Sequence, residues 1–549
     1  MIRYVCKYTP IELFAGFGAG CAVLDEIPEN FDLSDGVAHA NLCGFGKSVI
    51  EAVLAGEVDE LVLVNCCDTM RRVYDVVRKS EACRFLHLID LPHDGGCGRE
   101  GLARELLRLK AACAAYTRRE FDRKAFAAAF SPPSPAVEPY VGILGVRAGR
   151  EMEAMIRDGL ALPVRNLTCI GNRAVAAPGS SPGNGADETA LFMEYAGALL
   201  SQLPCRRMND TTGRKQLYND PSLRGIVYHT IKFCDYYGFE YAEIKNGLSV
   251  PILRLETDYT LQSRGQLRTR IEAFSETLSG LGGRERIKMN ETGKYYVAGI
   301  DSGSASTDVV ILDNDRNIVA SIVIPTGGGA QSSAERSLEE ALHLAGMERG
   351  AVSRIVATGY GRGHIRNGGE SITEISCHAR GAHFLNPGVR TVIDIGGQDS
   401  KVIRIDETGV VRNFVMNGKC AAGTGRFLEM MARTLGLSLK EMSEMGLSWK
   451  EDVVISSMCT VFAESEVVSL VAQNRAVPDI IHGLNNSVAA KVATLVGRLG
   501  LEGDFIITGG VAKNKGVVHA IEGKLGIKLY VCDEAQICGA LGAALFALD

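Results

Sequence analysis

Several features that define common protein classes are missing from this sequence of 549 residues. No run of about 18 residues is free of charged or polar breaks, so no membrane-spanning helix is expected. The first residues carry no apolar signal core, and we therefore expect a cytoplasmic protein. The formal net charge is −6 and no basic run occurs, which argues against nucleic acid as a partner.

Two short binding patterns are also missing. No segment matches G-x-x-x-x-G-K-[ST], so a nucleotide would need a phosphate-binding loop of another kind. No two cysteines are separated by two residues, which argues against a structural zinc site. Hydrophobic residues make up 46 % of the chain and charged residues 23 %, a composition typical of a soluble protein with buried cores.

Cysteine, by contrast, is plentiful, with 16 in the chain. In a reducing compartment we expect no disulfide framework, which leaves the thiols available for packing or for binding metal. Some of them are expected to be small buried apolar side chains. This group consists of Cys6, Cys83, Cys113, Cys377, Cys532 and Cys538.

Two cysteines in the C-terminal half each stand just before a predicted helix. Cys420 precedes the small-residue turn 421–425, and Cys459 lies within the segment 456–466. The partial positive charge of a helix N-terminus favours an anionic ligand and a thiolate. Two thiolates cannot complete a four-thiolate iron–sulfur site, but two chains related by a two-fold axis could, with both cysteines from each.

Three Gly-rich turns in the same half each follow a predicted strand. The first, within 296–313, joins two apolar runs as a hairpin whose backbone N–H groups and hydroxyls can wrap phosphates. There Asp301 can hold Mg²⁺ directly or through water. The second turn follows the buried strand 391–395, and the third follows the strand 504–508. The residues predicted to bind nucleotide are Ser302, Gly303, Ser304, Ser306, Thr307, Asp394, Gly396, Gly397, Lys401, Gly423, Thr424, Gly425, Gly509, Gly510 and Asn514.

The second turn also supplies candidates for catalysis. In-line hydrolysis needs a water positioned against the γ-phosphate, and Gln398 or Asp399 could orient that water. The sequence does not decide between these two residues. Together with Asp301 they form the predicted catalytic set.

The first 280 residues alternate predicted strands and helices, the pattern of parallel sheets. Residues 1–8 are predicted to be an entry segment, and a strand end turning into a helix is predicted at 36–48. Ligands of such sheets collect at the carboxyl ends of strands. Further strands are predicted at 60–64, 85–92, 141–145, 164–169, 225–229 and 250–255. The cysteines at or near these strand ends are predicted metal ligands, and so is Cys205, which follows a helix. The full set is Cys43, Cys66, Cys67, Cys97, Cys169, Cys205 and Cys234.

The segment from about Tyr296 to the end resembles the ATP-dependent activators of 2-hydroxyacyl-CoA dehydratases and their relatives in benzoyl-CoA reductases. Its most specific pieces are the strings 420–427 and 456–466. The resemblance implies the two-lobed ATPase fold of the actin, sugar kinase and heat-shock chaperone superfamily, with ATP or ADP and Mg²⁺. It also implies one [4Fe-4S] cluster bridging a homodimer through Cys420 and Cys459, and a ferredoxin or flavodoxin as electron donor. Residues 357–362 belong to the family pattern too, in a role left open between function and loop packing.

The span to about Leu278 resembles the cluster-bearing component that these activators reduce. The segments that carry this resemblance are 39–43, 64–74, 232–235 and 256–270. The excess of cysteines is similar to double-cubane cluster proteins, in which six thiolates hold an [8Fe-9S] cluster; a single [4Fe-4S] cluster is the other possibility. Seven cysteines compete for six places, and it stays open whether both adjacent thiols, Cys66 and Cys67, ligate and whether Cys97 is a surface-loop thiol.

These resemblances imply an α/β protein. We expect a pair of Rossmann-like cluster-binding domains at 1–138 and 139–280, a linker at 281–295, and the two-lobed ATPase at 296–549. The expected function is ATP-dependent low-potential electron transfer into the N-terminal cluster, which then reduces a small substrate. One alternative is a dehydratase or benzoyl-CoA reductase-type enzyme acting on an acyl-CoA. Another is an ATP-dependent, chaperone-like binding protein with inert cysteines.

Overall fold

The computed structural model describes residues 1–39, 41–93, 98–130, 139–179, 188–245, 247–248, 250–260, 264–279, 294–327, 329–365, 369–417, 423–456 and 459–549. Contacts divide the chain into two compact units, Met1–Leu278 and Ser279–Asp549. Over these ranges, no helix is both long and apolar enough to cross a membrane.

The first unit contains two parallel four-stranded sheets with the same strand order. The first sheet has the order β2-β1-β3-β4 and the second the order β6-β5-β7-β8. Their central strands are almost continuously apolar, as expected for parallel strands that are covered on both faces. The strands are β1 (Ile2–Tyr4), β2 (Cys21–Val23), β3 (Glu60–Val64), β4 (Phe85–Ile89), β5 (Tyr140–Gly145), β6 (Val164–Asn166), β7 (Leu223–Ile231) and β8 (Ile252–Thr257).

Helices cover these sheets and connect their strands in the usual alternation. Buried side chains of the first sheet and its helices form one continuous apolar core. The helices are α1 (Ile11–Ala15), α2 (Asp32–Asp35), α3 (Gly44–Leu54), α4 (Asp68–Ser80), α5 (Arg99–Thr117), α6 (Arg123–Ala128), α7 (Arg150–Gly159), α8 (Glu188–Leu200), α9 (Thr212–Tyr218), α10 (Asp235–Ile244) and α11 (Arg264–Ser279).

The beginning of the chain differs from the prediction. The supposed entry segment contains β1, which is a central strand of the first sheet. The strand end predicted at 36–41 is wrong, because the described residues there form turns between α2 and α3. A strand of three residues is too short to show a periodic apolar pattern, and that is why the sequence did not reveal it.

The second unit contains two mixed five-stranded sheets, again with one shared order. The orders are β11-β10-β9-β12-β13 and β16-β15-β14-β17-β18, so each sheet joins an antiparallel meander to two parallel strands. This duplication defines the two lobes of an actin-like ATPase fold and confirms the predicted fold class. The strands are β9 (Tyr296–Ser302), β10 (Ser306–Asp313), β11 (Ile318–Pro325), β12 (Val352–Thr358), β13 (Glu370–Ser371), β14 (Val389–Ile395), β15 (Ser400–Ile405), β16 (Val411–Met416), β17 (Asp504–Thr508) and β18 (Leu529–Tyr530).

Two helices of this unit pack against each other through glycines. They are α13 (Glu374–Leu385) and α19 (Cys538–Leu548). A Cβ on Gly542 would lie 1.8 Å from the carbonyl oxygen of Cys377, so only glycine permits this approach. The close packing fixes the polar side chains of α13 beside the strand ends. The other helices are α12 (Ala330–Ala345), α14 (Gly425–Thr434), α15 (Leu439–Met445), α16 (Thr460–Ala472), α17 (Val477–Leu499) and α18 (Lys515–Leu525).

Candidate functional site

The equivalent central strands of the two lobes each end in a buried aspartate, and one histidine contacts both. His378 of α13 lies with Nε2 3.8 Å from Asp301 Oδ2 and with Nδ1 3.5 Å from Asp394 Oδ1. Its Nδ1 is also 3.1 Å from Oγ1 of Thr508, which donates a 3.1 Å hydrogen bond to Asp394. The two predicted acidic residues therefore belong to one site.

Lys401 supplies the positive charge of this site. Its buried ammonium lies 2.8 Å from Asp399, 3.2 Å from Asp394 and 4.0 Å from Glu374. Burial alone would lower the pKa of Lys401, but the three carboxylates outweigh it and hold that pKa well above its usual value. Burial likewise tends to raise the pKa of Asp394, yet His378 and Lys401 hold it below its usual value. Lys401 and Asp394 are thus an ion pair at neutral pH.

Asp301 has the opposite character. Burial, reinforced by Asp308, Glu374 and Asp394 and opposed by His378, raises the pKa of Asp301 to about 7. Burial also raises the pKa of Asp308 to about 7. The charged form of a buried carboxylate with a raised pKa is stabilised by a cation that binds together with a ligand. Hard oxygen donors of this kind fit Mg²⁺.

Two of the predicted phosphate loops approach each other closely. A Cβ on Gly397 would lie 2.7 Å from Ala305 Cβ and 3.3 Å from Ser304 Oγ, so the turn after β14 reaches the turn after β9. Behind the first turn, Thr307 Oγ1 lies 3.0 Å from Oγ1 of Thr326, which donates to the carbonyl of Gly303. Thr307 is fully buried and supports the loop from behind.

The third Gly-rich turn also borders this site. Gly509 has φ +84°, and a Cβ there would lie 2.5 Å from the carbonyl oxygen of Ile395 and 2.8 Å from Asp394 Oδ1. Glycine is therefore required for the turn to pack against the end of β14. Asn514, which stays a predicted nucleotide ligand, is the N-cap of α18, where its Oδ1 accepts a 3.0 Å bond from the backbone N–H of Val517.

The second phosphate loop is hydrogen-bonded to the beginning of α14. The N–H groups of Gly425 and Arg426 donate to the carbonyls of Gly396 and Gly397, both at 2.9 Å. Predicted residue Thr424, at the N-cap of α14, is fully buried.

The first residue of β15 holds both sides of the loop that carries Cys420. Ser400 Oγ donates a 2.7 Å bond to the carbonyl of Gly423, and the backbone N–H of Ser400 donates a 3.0 Å bond to Asn417 Oδ1. Cys420 itself lies outside the described residues. The described residues on its two sides, Asn417 and Gly423, are both hydrogen-bonded to Ser400.

Cys459 is exposed and occupies the N-cap of α16, as the sequence predicted. Exposed apolar side chains occur nearby in the sequence: Phe462 is 67 % exposed, and Val454, Val461 and Val468 are exposed as well. The thiol of Cys459 is thus at a helix start and open to solvent.

In the first unit, thiols from both sheets lie close enough to influence one another. Burial, reinforced by the negative charges of Cys43, Cys67 and Cys169, raises the pKa of Cys234 to about 12. Cys43, Cys67 and Cys234 are the N-caps of α3, α4 and α10. Cys205 interacts in turn with Cys169. Six predicted metal ligands therefore share one region, while Cys97 lies outside the described residues.

The adjacent thiols differ in character. A hydrogen bond from the thiol of Cys66, opposed by burial, lowers the pKa of Cys67 to about 7. The same bond, together with burial, raises the pKa of Cys66. In this arrangement Cys67 is the thiol that ionises more readily.

The structure adds two residues that the sequence did not suggest. Cys6 is buried as expected, but the charges of Cys205 and Cys169 are among the causes that raise its pKa to about 12. Next to it, Lys7 is 2 % exposed, donates a 2.7 Å bond from Nζ to the carbonyl of Leu203, and bonds through its N–H to the carbonyl of Cys169 at 3.2 Å. Both residues lie just after β1, and a position after a strand could have marked them as candidates. The strand β1 is too short to be predicted from the sequence.

This donor set fits an iron–sulfur cluster, since thiolates hold such clusters and a buried cation offsets their charge. Within the described ranges, no three Cys, His, Asp or Glu side chains are arranged to hold a single metal ion. A cluster of several metal atoms is larger than one ion, so the fit rests on the chemistry and number of the donors.

A two-lobed ATPase joined to a thiol-rich α/β unit is the class of protein that this fold and site define. Residues 298–547 match the BadF/BadG/BcrA/BcrD ATPase family, and residues 6–131 and 143–278 match the 2-hydroxyglutaryl-CoA dehydratase D-component. The chain belongs to the BadF/BadG/BcrA/BcrD ATPase family through its C-terminal half, and its N-terminal half is similar to the dehydratase D-component. Both predicted resemblances are thereby confirmed.

Individual relatives match the C-terminal half. The activator of lactoyl-CoA dehydratase from Anaerotignum propionicum is 49 % identical over 254 residues, which are 46 % of this chain and 98 % of that protein. The (R)-2-hydroxyglutaryl-CoA dehydratase activating ATPase from Acidaminococcus fermentans is 46 % identical over 253 residues, 46 % of this chain and 96 % of that protein. A structure of the 2-hydroxyisocaproyl-CoA dehydratase activator from Clostridium difficile with bound ADPNP is 44 % identical, covers 46 % and 94 % of the two chains and has a TM-score of 0.45.

Proposed function

We propose that this chain couples ATP hydrolysis to low-potential electron transfer, from a centre in the C-terminal unit to the thiol site of the N-terminal unit. One observation carries the proposal. The second phosphate loop and the beginning of α14 share two backbone hydrogen bonds, from Gly425 and Arg426 to Gly396 and Gly397. Any change in the loop on nucleotide binding therefore reaches the segment that carries Cys420.

The cysteines provide places for two iron–sulfur groups, which would supply one-electron carriers whose potential responds to exposure and to hydrogen bonds at sulfur. Cys420 and Cys459 from each of two chains would hold the shared group of a homodimer. In the N-terminal unit, ligands would come from the six neighbouring predicted cysteines, from Cys97, or from Cys6.

For hydrolysis, the structure favours Gln398 over Asp399 as the residue that orients water. Asp399 is already engaged by Lys401 at 2.8 Å. Gln398 is exposed in the turn after β14, and among the described residues no hydrogen bond to its side-chain amide is found. An amide can both accept from and donate to a water, as positioning requires. Asp301 would bind Mg²⁺ directly or through water.

ATP would act by binding one arrangement of the lobes better than the other, because a ligand shifts an equilibrium only through differential affinity. Closure would move Gly396 and Gly397, and with them the start of α14 and the flanks of the Cys420 loop. The thiol side chains would then change their exposure and their distance from the electron acceptor. Hydrolysis would return the loop to its first arrangement. Ferredoxin or flavodoxin is the proposed donor, in the cytoplasm.

The final acceptor is proposed to be a small molecule. A second candidate is favoured by the match of the N-terminal half to a dehydratase D-component and by relatives named as activators of acyl-CoA dehydratases. In that case the N-terminal unit would act on an acyl-CoA. Calorimetric titration of the anaerobic protein with acyl-CoA separates the two, since only the second candidate requires acyl-CoA binding.

Iron and sulfide counts on anaerobically purified protein test the proposed groups. About ten irons per chain, eight plus half of four, fit a double cubane with a shared cubane, and about six fit a single N-terminal cubane. Colourless protein without iron after reconstitution would contradict the proposal and favour an ATP-dependent binding protein. A Cys83→Ser variant, which alters a half-buried thiol outside both sites, serves as the matched control.

A further inference from the structure

Three polar residues form a row across the first lobe at the mouth of its sheet. Asp308 on β10 and Thr358 on β12 are the register partners of Asp301, on either side of β9. Register partners on neighbouring strands point to the same face, with Cβ atoms roughly 4.5–5.5 Å apart in an antiparallel pair. The three oxygen-bearing side chains therefore share one face.

Two members of this row have buried oxygens without partners. Asp308 is 5 % exposed, and within the described residues its Oδ1 makes no hydrogen bond. Thr358 is fully buried, and over the same residues its Oγ1 makes none either. Ser306 interacts with the Asp308 side chain but leaves Oδ1 without a bond. Burying a carboxylate oxygen without a hydrogen-bond partner costs free energy of folding, so such an oxygen indicates that a ligand binds there.

The surrounding cations do not neutralise Asp308. Lys401 is committed to Asp399 and Asp394, at 2.8 and 3.2 Å. Lys513, from the second lobe, has an exposed side chain and forms no ion pair within 4.0 Å of Asp308 in the described structure. Asp308 therefore has no adjacent fixed cation, whereas its row partner Asp301 has His378 at 3.8 Å.

We propose that Asp308 is a second carboxylate of the divalent-cation site, acting with Asp301, and that the Thr358 hydroxyl provides a third oxygen directly or through water. Mg²⁺ is bound in proteins by one or two carboxylates together with waters and the phosphates of the substrate, and this row offers that set. The inference rests on the ATPase family of the C-terminal unit and is independent of electron transfer.

Mn²⁺ is the probe that tests this site. Free Mn²⁺ is measured by electron paramagnetic resonance in full-length protein containing saturating ADP, and ADP affinity is measured by calorimetry with Mg²⁺ or with EDTA. For Asp308→Asn we expect Mn²⁺ affinity to fall by about tenfold or more, or about 1.4 kcal/mol. ADP affinity in EDTA should stay the same or increase, because a negative charge near the phosphates is removed.

Two further variants make the outcome decisive. Thr358→Val has nearly the same shape and should weaken Mn²⁺ binding less than Asp308→Asn, so it tests the row even if the first variant folds poorly. Asp315→Asn alters an exposed carboxylate in the turn after the same strand and should change nothing.

The competing role for Asp308 is to hold Lys513. Mn²⁺ binding at wild-type affinity in both Asp308→Asn and Thr358→Val would overturn the proposal. It would also be overturned if Lys513→Gln reproduced the loss seen in Asp308→Asn and the double variant lost no more than either single one. Loss in Asp308→Asn with wild-type binding in Lys513→Gln supports the cation site.

Discussion

The backbone N–H of Gly425 donates a 2.9 Å hydrogen bond to the carbonyl oxygen of Gly396. The bond joins the first residue of α14 to the turn after β14, which faces the other predicted phosphate loop. Gly425 is also where a side chain would be crowded: a Cβ would lie 3.2 Å from the same carbonyl oxygen. The contact between loop and helix is thus direct and close.

Removing this hydrogen bond should uncouple ATP hydrolysis from electron transfer. Gly425→Pro deletes the N–H but suits the first position of a helix, so α14 should persist. We expect the ATP consumed per transferred electron to rise several-fold, whatever the change in ATP turnover at this predicted nucleotide-binding residue. The measurement is anaerobic ATPase activity against electron uptake by an artificial acceptor.

Gly425→Ala is the matched control for that variant, because it keeps the N–H and adds only the crowded Cβ. If the proline and alanine variants show the same ratio of ATP to electrons, the hydrogen bond does not carry the coupling.

Acid should destabilise the first unit through His229. Burial lowers the pKa of this histidine from 6.5 to about 4, and its ring bonds to the carbonyl of Arg147 and to Thr257. Because the folded state resists protonation, the unfolded state takes up the proton first as pH falls. The contribution of His229 to the free energy of unfolding is fully present above about pH 6.5. It is lost as the pH falls towards about 4, at roughly 1.4 kcal/mol per pH unit.

Calorimetric unfolding between pH 7 and pH 4 measures this loss. The decrease in the free energy of unfolding per pH unit should be smaller in His229→Gln. It should be unchanged in His343→Gln, a variant of a surface residue of α12. If the free energy of unfolding falls with pH as steeply in His229→Gln as in the wild type, protonation of this ring does not cause the acid sensitivity.

Lys7 should tune the N-terminal thiol site. Its buried ammonium lies among Cys6, Cys169 and Cys205, and the negative charges of these thiols oppose the effect of burial on its pKa. Lys7→Gln removes a positive charge, which should make the reduced, more negative state less favourable. We expect a lower midpoint potential in a spectroscopically monitored redox titration, with unchanged ADP binding.

The control is Lys124→Gln, which removes an exposed charge of α6. A midpoint potential that moves equally in both variants, or in neither, would mean that Lys7 has no special electrostatic role.

The sequence predicted those parts of this protein that long or distinctive motifs define. The Gly-rich turns after β9, β14 and β17 are local features, because glycine at a strand end predicts a turn without reference to the rest of the chain. The cysteines at 43, 67, 234 and 459 also stand at helix starts as local patterns indicate. The spatial grouping of the first three was predicted through parallel-sheet topology.

Other parts depend on contacts between distant residues. Cys6 and Lys7 belong to the thiol region only because β1 is central to its sheet, and three residues carry too little pattern to show this. Asp308 acquires significance from its register with Asp301, which no local spacing gives. Local spacing likewise does not show that Asn514 caps a helix or that Thr307 supports a loop.

The most direct test of the central claim is to record the electron paramagnetic resonance of the reduced anaerobic protein with ATP, with ADP and with a non-hydrolysable ATP analogue. The Cys459→Ser variant is measured in parallel. The account predicts that the N-terminal iron–sulfur signal develops only with hydrolysable ATP and is lost in the variant, which still binds ATP. The same signal without nucleotide, or an unaltered signal in Cys459→Ser, would contradict it.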